Sequence, residues 1–242
     1  MKIEGSVALV TGANRGIGRA IADEFLARGA AKVYAGVRDP ATVTDDRLVA
    51  VKLDVTDPAG VAAAAAELDD VSIVVNNAGI GGGSTPLTAN LDRARAELEV
   101  NYLGLVSMTQ AFAPVLAANG GGAFVNVLSV VSWAAMPRLT TYSASKAAAW
   151  SFTNAARVEL ARSGTEVVGV HVGFVDTDLT AGLPVEKIAP QAVAVSALDA
   201  LEEGRPEAAV DELSRTIKAG LHDDQNLIYP GIADQFNAVT AA

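Results

Sequence analysis

Val7-Ala8-Leu9-Val10 runs directly into Thr11-Gly12-Ala13-Asn14-Arg15-Gly16-Ile17-Gly18, and a helical pattern follows from Arg19 to Arg28, closed by Gly29. The order is strand, glycine loop, helix. Glycine is needed where backbone turns sharply or closely approaches a ligand, and a helix amino terminus offers free N–H groups and a positive dipole end to phosphate. A glycine loop alone is compatible with a simple tight turn. Its position after a strand and before a helix favours a dinucleotide loop.

Outward from this unit, the apolar run Lys32 to Val37 ends at Arg38, twenty residues beyond Gly18. In a dinucleotide-binding unit an acidic side chain here would hold the adenosine ribose 2′-hydroxyl, whereas a basic one accepts a 2′-phosphate. Arg38, with Arg15 in the glycine loop as a second positive group, points to NADP (NADPH); the plainer alternative is a solvated arginine beside Asp39. Val49 to Leu53 reads as a third strand, followed by Asp54-Val55-Thr56-Asp57-Pro58. Asp54 is placed to accept from an adenine amino group or to cap the Ala-rich helix Pro58 to Leu68, although Asp57, directly before Pro58, is the better cap. A fourth strand, Val71 to Val75, leads into Asn76-Asn77-Ala78-Gly79.

Strands alternating with helices at this spacing predict βαβ units and a parallel sheet covered on both faces. The expected architecture is α/β: a doubly wound, three-layer Rossmann-type fold in a single domain over residues 1–242, with ligands at the carboxyl ends of the strands.

Bulk properties narrow the function. A formal net charge of −10 and a pI near 4.6 disfavour nucleic acid and anionic membranes as partners. There is no cysteine, which excludes disulfides and thiolate chemistry, and the two histidines, His171 and His222, are too few and too far apart for a metal site. Met1 to Gly5 carries charge and leads into a strand rather than a signal-peptide core, and no uninterrupted apolar stretch reaches a membrane span. A cytoplasmic protein is expected.

The chemistry is expected between Ser129 and Lys146. Tyr142 and Lys146 are four residues apart, and the following Ala147-Ala148-Ala149-Trp150 predicts a helix that stacks them on one face. A lone Tyr-x-x-x-Lys pair is ordinarily a solvated helix face. A phenol titrates near pH 10, and a neighbouring ammonium would lower that value and make it a usable acid or base. Ser129, thirteen residues earlier at the end of the apolar run Phe124 to Leu128, would hold a substrate oxygen toward Tyr142.

Thr11-Gly12-x-x-x-Gly16-x-Gly18, Asn76-Asn77-Ala78-Gly79, Asn101, Ser129 and Tyr142-x-x-x-Lys146, in this order and spacing, resemble the short-chain dehydrogenase/reductase family, carbonyl-reductase-like, over roughly residues 5–180. The resemblance implies that Gly12, Asn14, Arg15, Gly16, Ile17 and Gly18 border the cofactor phosphates and ribose, that Asp54 and Val55 flank adenine, and that Asn77, Ala78 and Gly79 border the ribose side. It implies that Asn101, within a helical stretch Leu91 to Leu116, holds a water linking Lys146 to solvent. Lys146 also binds the nicotinamide ribose on this pattern, Thr177 matches the position that reaches the nicotinamide carboxamide, and Val175 is a further cofactor-binding position. The family's usual Pro-Gly is here Val172-Gly173, which leaves the path of that loop undetermined.

A short substrate-covering segment, Asp178 to Ile188, precedes a helix from Pro190 that Gly204 ends, and a further helix is expected over Pro206 to Ala219, with Val210, Leu213 and Ile217 on one side. Asp223 to Ala242 lacks the family's glycine-rich final strand, which helps build its common tetramer; a homo-oligomer is compatible with the sequence, and so is a monomer. Pocket residues are expected among Ile80 to Pro86, Trp133 to Leu139 and Phe174. The expected reaction is reversible reduction of a small ketone or aldehyde to an alcohol. Two alternatives stand beside it: an NADP(H)-binding redox sensor without turnover, and epimerase or dehydratase chemistry on the same fold.

Overall fold

The computed structural model describes residues 1–240 of the chain. Seven strands form one parallel sheet: β1 Val7–Thr11, β2 Lys32–Val37, β3 Val49–Lys52, β4 Ile73–Asn76, β5 Gly122–Val127, β6 Thr165–His171 and β7 Glu207–Ala209. Their order across the sheet is β3-β2-β1-β4-β5-β6-β7, and every pairing is parallel. The order reverses between β1 and β4, so the carboxyl ends of these two strands open a crevice there. Central strands read as continuous apolar runs because both faces are covered; β5 is buried at every position.

Helices α1 Gly16–Ala27, α2 Pro58–Glu67, α3 Leu91–Leu98, α4 Gly104–Ala118, α5 Thr140–Leu160 and α6 Pro190–Glu202 cover the sheet. One core lies between the sheet and α1 with α6, where Ile21, Phe25, Leu198 and Leu201 are fully buried. The other lies under α2 and α4, with Leu9, Val74, Phe112 and Phe124 at its centre. Gly29 closes α1 at φ 81° and Gly204 follows α6 at φ 67°, the left-handed backbone that favours glycine.

Two expectations need correction. The stretch from Leu91 is not a uniform α-helix: Glu99–Leu103 forms a π turn between α3 and α4, a local widening that recurs at functional sites. From Leu91 to Ala118 the helical run is long and apolar enough to cross a membrane by length and composition alone, yet Met108, Phe112 and Leu116 are wholly buried against the sheet. The expected helix Pro206 to Ala219 is instead β7 followed by α7 Glu212–Gly220, which Asp211 caps by accepting from the Ser214 amide at 2.8 Å. Edge pairing with β6 draws Glu207–Ala209 into the sheet against its local helical preference. Two further helices, α8 Asp224–Leu227 and α9 Tyr229–Thr240, follow.

Candidate functional site

The glycine loop closes against the Asn-Asn-Ala-Gly turn. The Thr11 hydroxyl accepts from the Asn77 and Ala78 amides at 2.9 and 3.0 Å and donates to the Val75 carbonyl at 3.2 Å. Asn77 Nδ2 donates to the Thr11 carbonyl at 2.8 Å. A Cβ on Gly18 would stand 2.3 Å from the Gly12 carbonyl oxygen and 2.4 Å from Asn77 Nδ2, so only glycine fits. Asn77 therefore clamps the loop. Arg15 precedes α1 without capping it, and the first turn carries no acid; the amide end of the helix faces the crevice uncompensated. This cradle fits a phosphate group.

Other expected cofactor residues gather along the same crevice. Asn14 donates to the Thr42 hydroxyl at 3.2 Å, tying the loop to the segment after β2. Gly16 adopts φ 56°, and the Thr177 methyl would lie 3.3 Å from a Cβ there. Ile17 is half-buried on the α1 core. Val55 is buried against Gly104. Asp54 accepts from the amide and hydroxyl of Thr56 at 2.9 and 2.8 Å, which hold its carboxyl below the ordinary range; it does not cap α2. Arg38 is exposed and forms no ion pair among the described residues, whereas Arg15 Nη1 pairs with Asp178 Oδ2 at 2.7 Å.

Asn101, Ser129, Tyr142 and Lys146 converge at the carboxyl ends of β4 and β5. The π turn aims the buried Asn101 inward: its Nδ2 donates to the Ile80 carbonyl at 2.8 Å and to Ser145 Oγ at 2.9 Å, and its Oδ1 accepts from the Ile80 amide at 2.9 Å. A Cβ on Gly79 would lie 3.2 Å from Asn101 Oδ1 and 3.6 Å from Lys146 Nζ, so this glycine sits between the two side chains. Lys146 Nζ donates to the Val127 carbonyl at 2.9 Å. Beneath them lies a cavity of about 10 Å³ lined by Thr11, Asn76, Asn101 and Lys146 among others, the size of one water.

The electrostatics correct one expectation. Burial pushes the Tyr142 phenol up to about 12, the Ser129 hydroxyl pulls the other way, and the Glu97 charge adds to the rise. Burial brings the Lys146 ammonium down to about 8. Lys146 lies 5.9 Å from the tyrosine ring centre and spends a donor on Val127, so it does not draw the phenol toward neutrality here. Tyr142 is a protonated phenol at pH 7.

Sequence reasoning passed over Glu97. It is wholly buried with both oxygens lacking a hydrogen-bond partner, and only Arg93 Nε approaches, at 3.5 Å. Its spacing, one turn before Asn101, was the available signal. Gly81 falls in the expected pocket stretch Ile80 to Pro86, and a Cβ there would strike the Tyr142 ring at 2.8 Å. The expected pocket wall Trp133 is corrected outright: it is 9% exposed and stacks on His171, centres 3.7 Å apart. The Val172-Gly173 loop has a definite path, because Gly173 N donates to the Asp211 carboxylate at 2.8 Å. The cover begins as a short 3₁₀ turn, Asp178–Thr180, and returns by a bridge between Val175 and Ile188. Among the described residues no acidic and histidine cluster could hold a metal.

The model of the short chain dehydrogenase family matches residues 6–187. This chain belongs to that family. It is an oxidoreductase with the Rossmann-type fold its order of strands displays. A curated relative, the cis-4-hydroxycyclohexanecarboxylate dehydrogenase of Sinomonas cyclohexanicum, is 39% identical over 193 residues, spanning 74% of this chain and 77% of that protein. A solved short chain dehydrogenase from Burkholderia cenocepacia J2315, in complex with NADP, has a TM-score of 0.91 at 41% identity, covering 96% of this chain and 99% of its own. The Brucella melitensis 3-ketoacyl-(acyl-carrier-protein) reductase, complexed with NADH, has a TM-score of 0.77 at 30% identity, covering 84% and 93%. This short-chain dehydrogenase therefore has relatives solved with either dinucleotide.

Proposed function

We propose that this short-chain dehydrogenase reversibly reduces a small ketone or aldehyde with NADPH, Tyr142 serving as the general acid. The observation that carries this reading is the convergence of Ser129, Tyr142, Lys146 and Asn101 beside a phosphate-fitting glycine loop. The dinucleotide, held along Gly12 to Gly18, Asp54 to Val55 and Asn77 to Gly79, supplies the hydride. Ser129 and Tyr142 donate hydrogen bonds to the substrate oxygen, stabilising the charge that develops on it, and Tyr142 gives up its proton to that oxygen. A phenol held near 12 is fully protonated at pH 7, which suits the reducing direction. Lys146, buried and tied to the Val127 carbonyl, is positioned to donate to ribose hydroxyls. Asn101 and the one-water cavity offer Tyr142 and Lys146 a route for proton return.

Selection of NADPH rests on Arg38, exposed and free of ion pairs among the described residues, while Arg15 is paired with Asp178. An apolar-bodied substrate is supported by the cover, where Leu179, Leu183 and Val185 are all exposed. We place the enzyme in the cytoplasm, acting on a diffusible small molecule. The test is loss of reduced-nicotinamide absorbance with NADPH and NADH over aliphatic, aromatic and keto-ester carbonyl compounds. Turnover favouring NADPH is expected. A preference for NADH would overturn the role of Arg38, and binding of NADPH without reduction of any substrate would leave a redox sensor as the better reading.

A further inference from the structure

Behind Ser129, away from the crevice, lies a polar cluster that the proposed reaction does not use. His171, at the end of β6, is wholly buried. Its Nδ1 stands 3.0 Å from Ser132 Oγ and 3.3 Å from the Ser129 carbonyl oxygen. Ser132 in turn grips that same carbonyl twice, through its hydroxyl at 2.5 Å and its amide at 3.0 Å. On its far side His171 Nε2 faces Glu207 Oε1 of β7 at 3.7 Å. Glu207 is held by Lys218 of α7 and accepts from Trp150 Nε1 at 3.3 Å. Trp133 stacks on the imidazole with planes 15° apart, and Lys218 Nζ lies 5.3 Å from the centre of the same indole.

We propose that His171 is a positioning residue for Ser129, flanked by Glu207 of β7, so that the β7–α7 unit bears on the direction of a hydroxyl at the active site. The proposal rests on the reading of Ser129 given above. A buried imidazole is costly unless its nitrogens find partners, and an apolar side chain would fill the space between Trp133 and the sheet without that cost. Burial keeps the ring below its ordinary titration range, so it is neutral at pH 7 and its tautomer is chosen by its neighbours. The Ser132 hydroxyl spends its one proton on the Ser129 carbonyl, so the ring proton sits on Nδ1 and is donated to Ser132 Oγ beside that carbonyl, while Nε2 faces the Glu207 carboxylate with no hydrogen-bond partner among the described residues. Ser132 then fixes the Ser129 peptide, and with it the Cα–Cβ direction. The Ser129 hydroxyl donates to the Val172 carbonyl at 3.3 Å and accepts from the Val131 amide at 3.4 Å, both long, and it bears on the Tyr142 phenol, so its aim toward that phenol depends on the peptide that carries it.

His171→Phe keeps the ring and the stack but removes both nitrogens; Glu207→Gln keeps an acceptor for Trp150 and removes the charge. Two readouts are needed. The ¹³Cβ chemical shift of Ser129, recorded on the ligand-free protein, is expected to move in both variants, and this holds whether or not a substrate has been found. With a substrate, kcat is expected to fall roughly tenfold while KM for NADPH stays unchanged, and the double variant to be no worse than His171→Phe alone. Restoring a donor-acceptor side chain in His171→Gln should recover part of kcat. An unmoved Ser129 shift overturns the proposal. So does a lower melting temperature with kcat intact, which is what a purely structural histidine predicts. Ser129→Ala separates the two layers of argument: if it turns over normally, the reading of Ser129 fails, whereas loss in Ser129→Ala with normal His171→Phe sinks only the positioning role.

Discussion

The two sides of the crevice are built by different means. On the dinucleotide side the surface is backbone: glycines at 12, 16 and 18, a bare helix end, and exposed arginines at its rim. On the acid side it is buried side chain: Asn101, Ser129 and Lys146 are each at most 6% exposed, and burial is the largest influence on both Tyr142 and Lys146. Backbone sites are sensitive to one added methyl group; buried side-chain sites are sensitive to single protons. Substitutions on either side should therefore fail in different ways.

The largest separation is expected from Tyr142→Phe, which removes the proton donor and leaves the glycine loop untouched. Turnover should drop by about 10²–10⁴-fold, with NADPH affinity, followed by fluorescence titration, unchanged. Gly18→Ala should do the reverse: its new methyl collides with the Gly12 carbonyl and Asn77, lowering stability by about 1–3 kcal/mol and weakening the dinucleotide far more than any catalytic step; thermal melts with and without NADPH read both. A wild-type-like melt would mean that the loop can move aside.

Arg38→Ala sharpens the comparison within the dinucleotide side. A lost charge-assisted contact predicts roughly a tenfold rise in KM for NADPH and little change for NADH, the difference shrinking at high salt because the group is exposed. The smallest effect belongs to Glu97→Gln. Its negative charge raises Tyr142, so a neutral amide lets the phenol ionise at lower pH. Reduction needs the protonated phenol, and the alkaline fall of kcat should move to lower pH. A shift to higher pH would contradict the geometry.

Much of this was legible in the order of residues. The strands β1, β2, β4 and β5 announce themselves as short apolar runs, and the glycine loop, the Asn-Asn-Ala-Gly turn and Tyr142-x-x-x-Lys146 are local patterns whose geometry depends on neighbours in sequence. What escaped was non-local. Glu207–Ala209 is a poor strand by itself and pairs only because the β6 edge is available. Trp133 lies between Ser129 and Tyr142 in sequence, yet its ring is buried in a stack on His171, thirty-eight residues later. Apart from its spacing to Asn101, Glu97 carries no local mark that distinguishes it; packing of α3 against α5 buries it.

By itself the sequence determined the α/β class, the phosphate-fitting loop and the Tyr142–Lys146 pair, since each depends on backbone freedom or on spacing along one element, whereas Asn101 entered only through the family resemblance. Only the tertiary structure decided the upward shift of Tyr142, the clamp made by Asn77 and the approach of β7 and His171 to Ser129. Those depend on desolvation and on contacts between distant segments, and neither exists until the chain has packed.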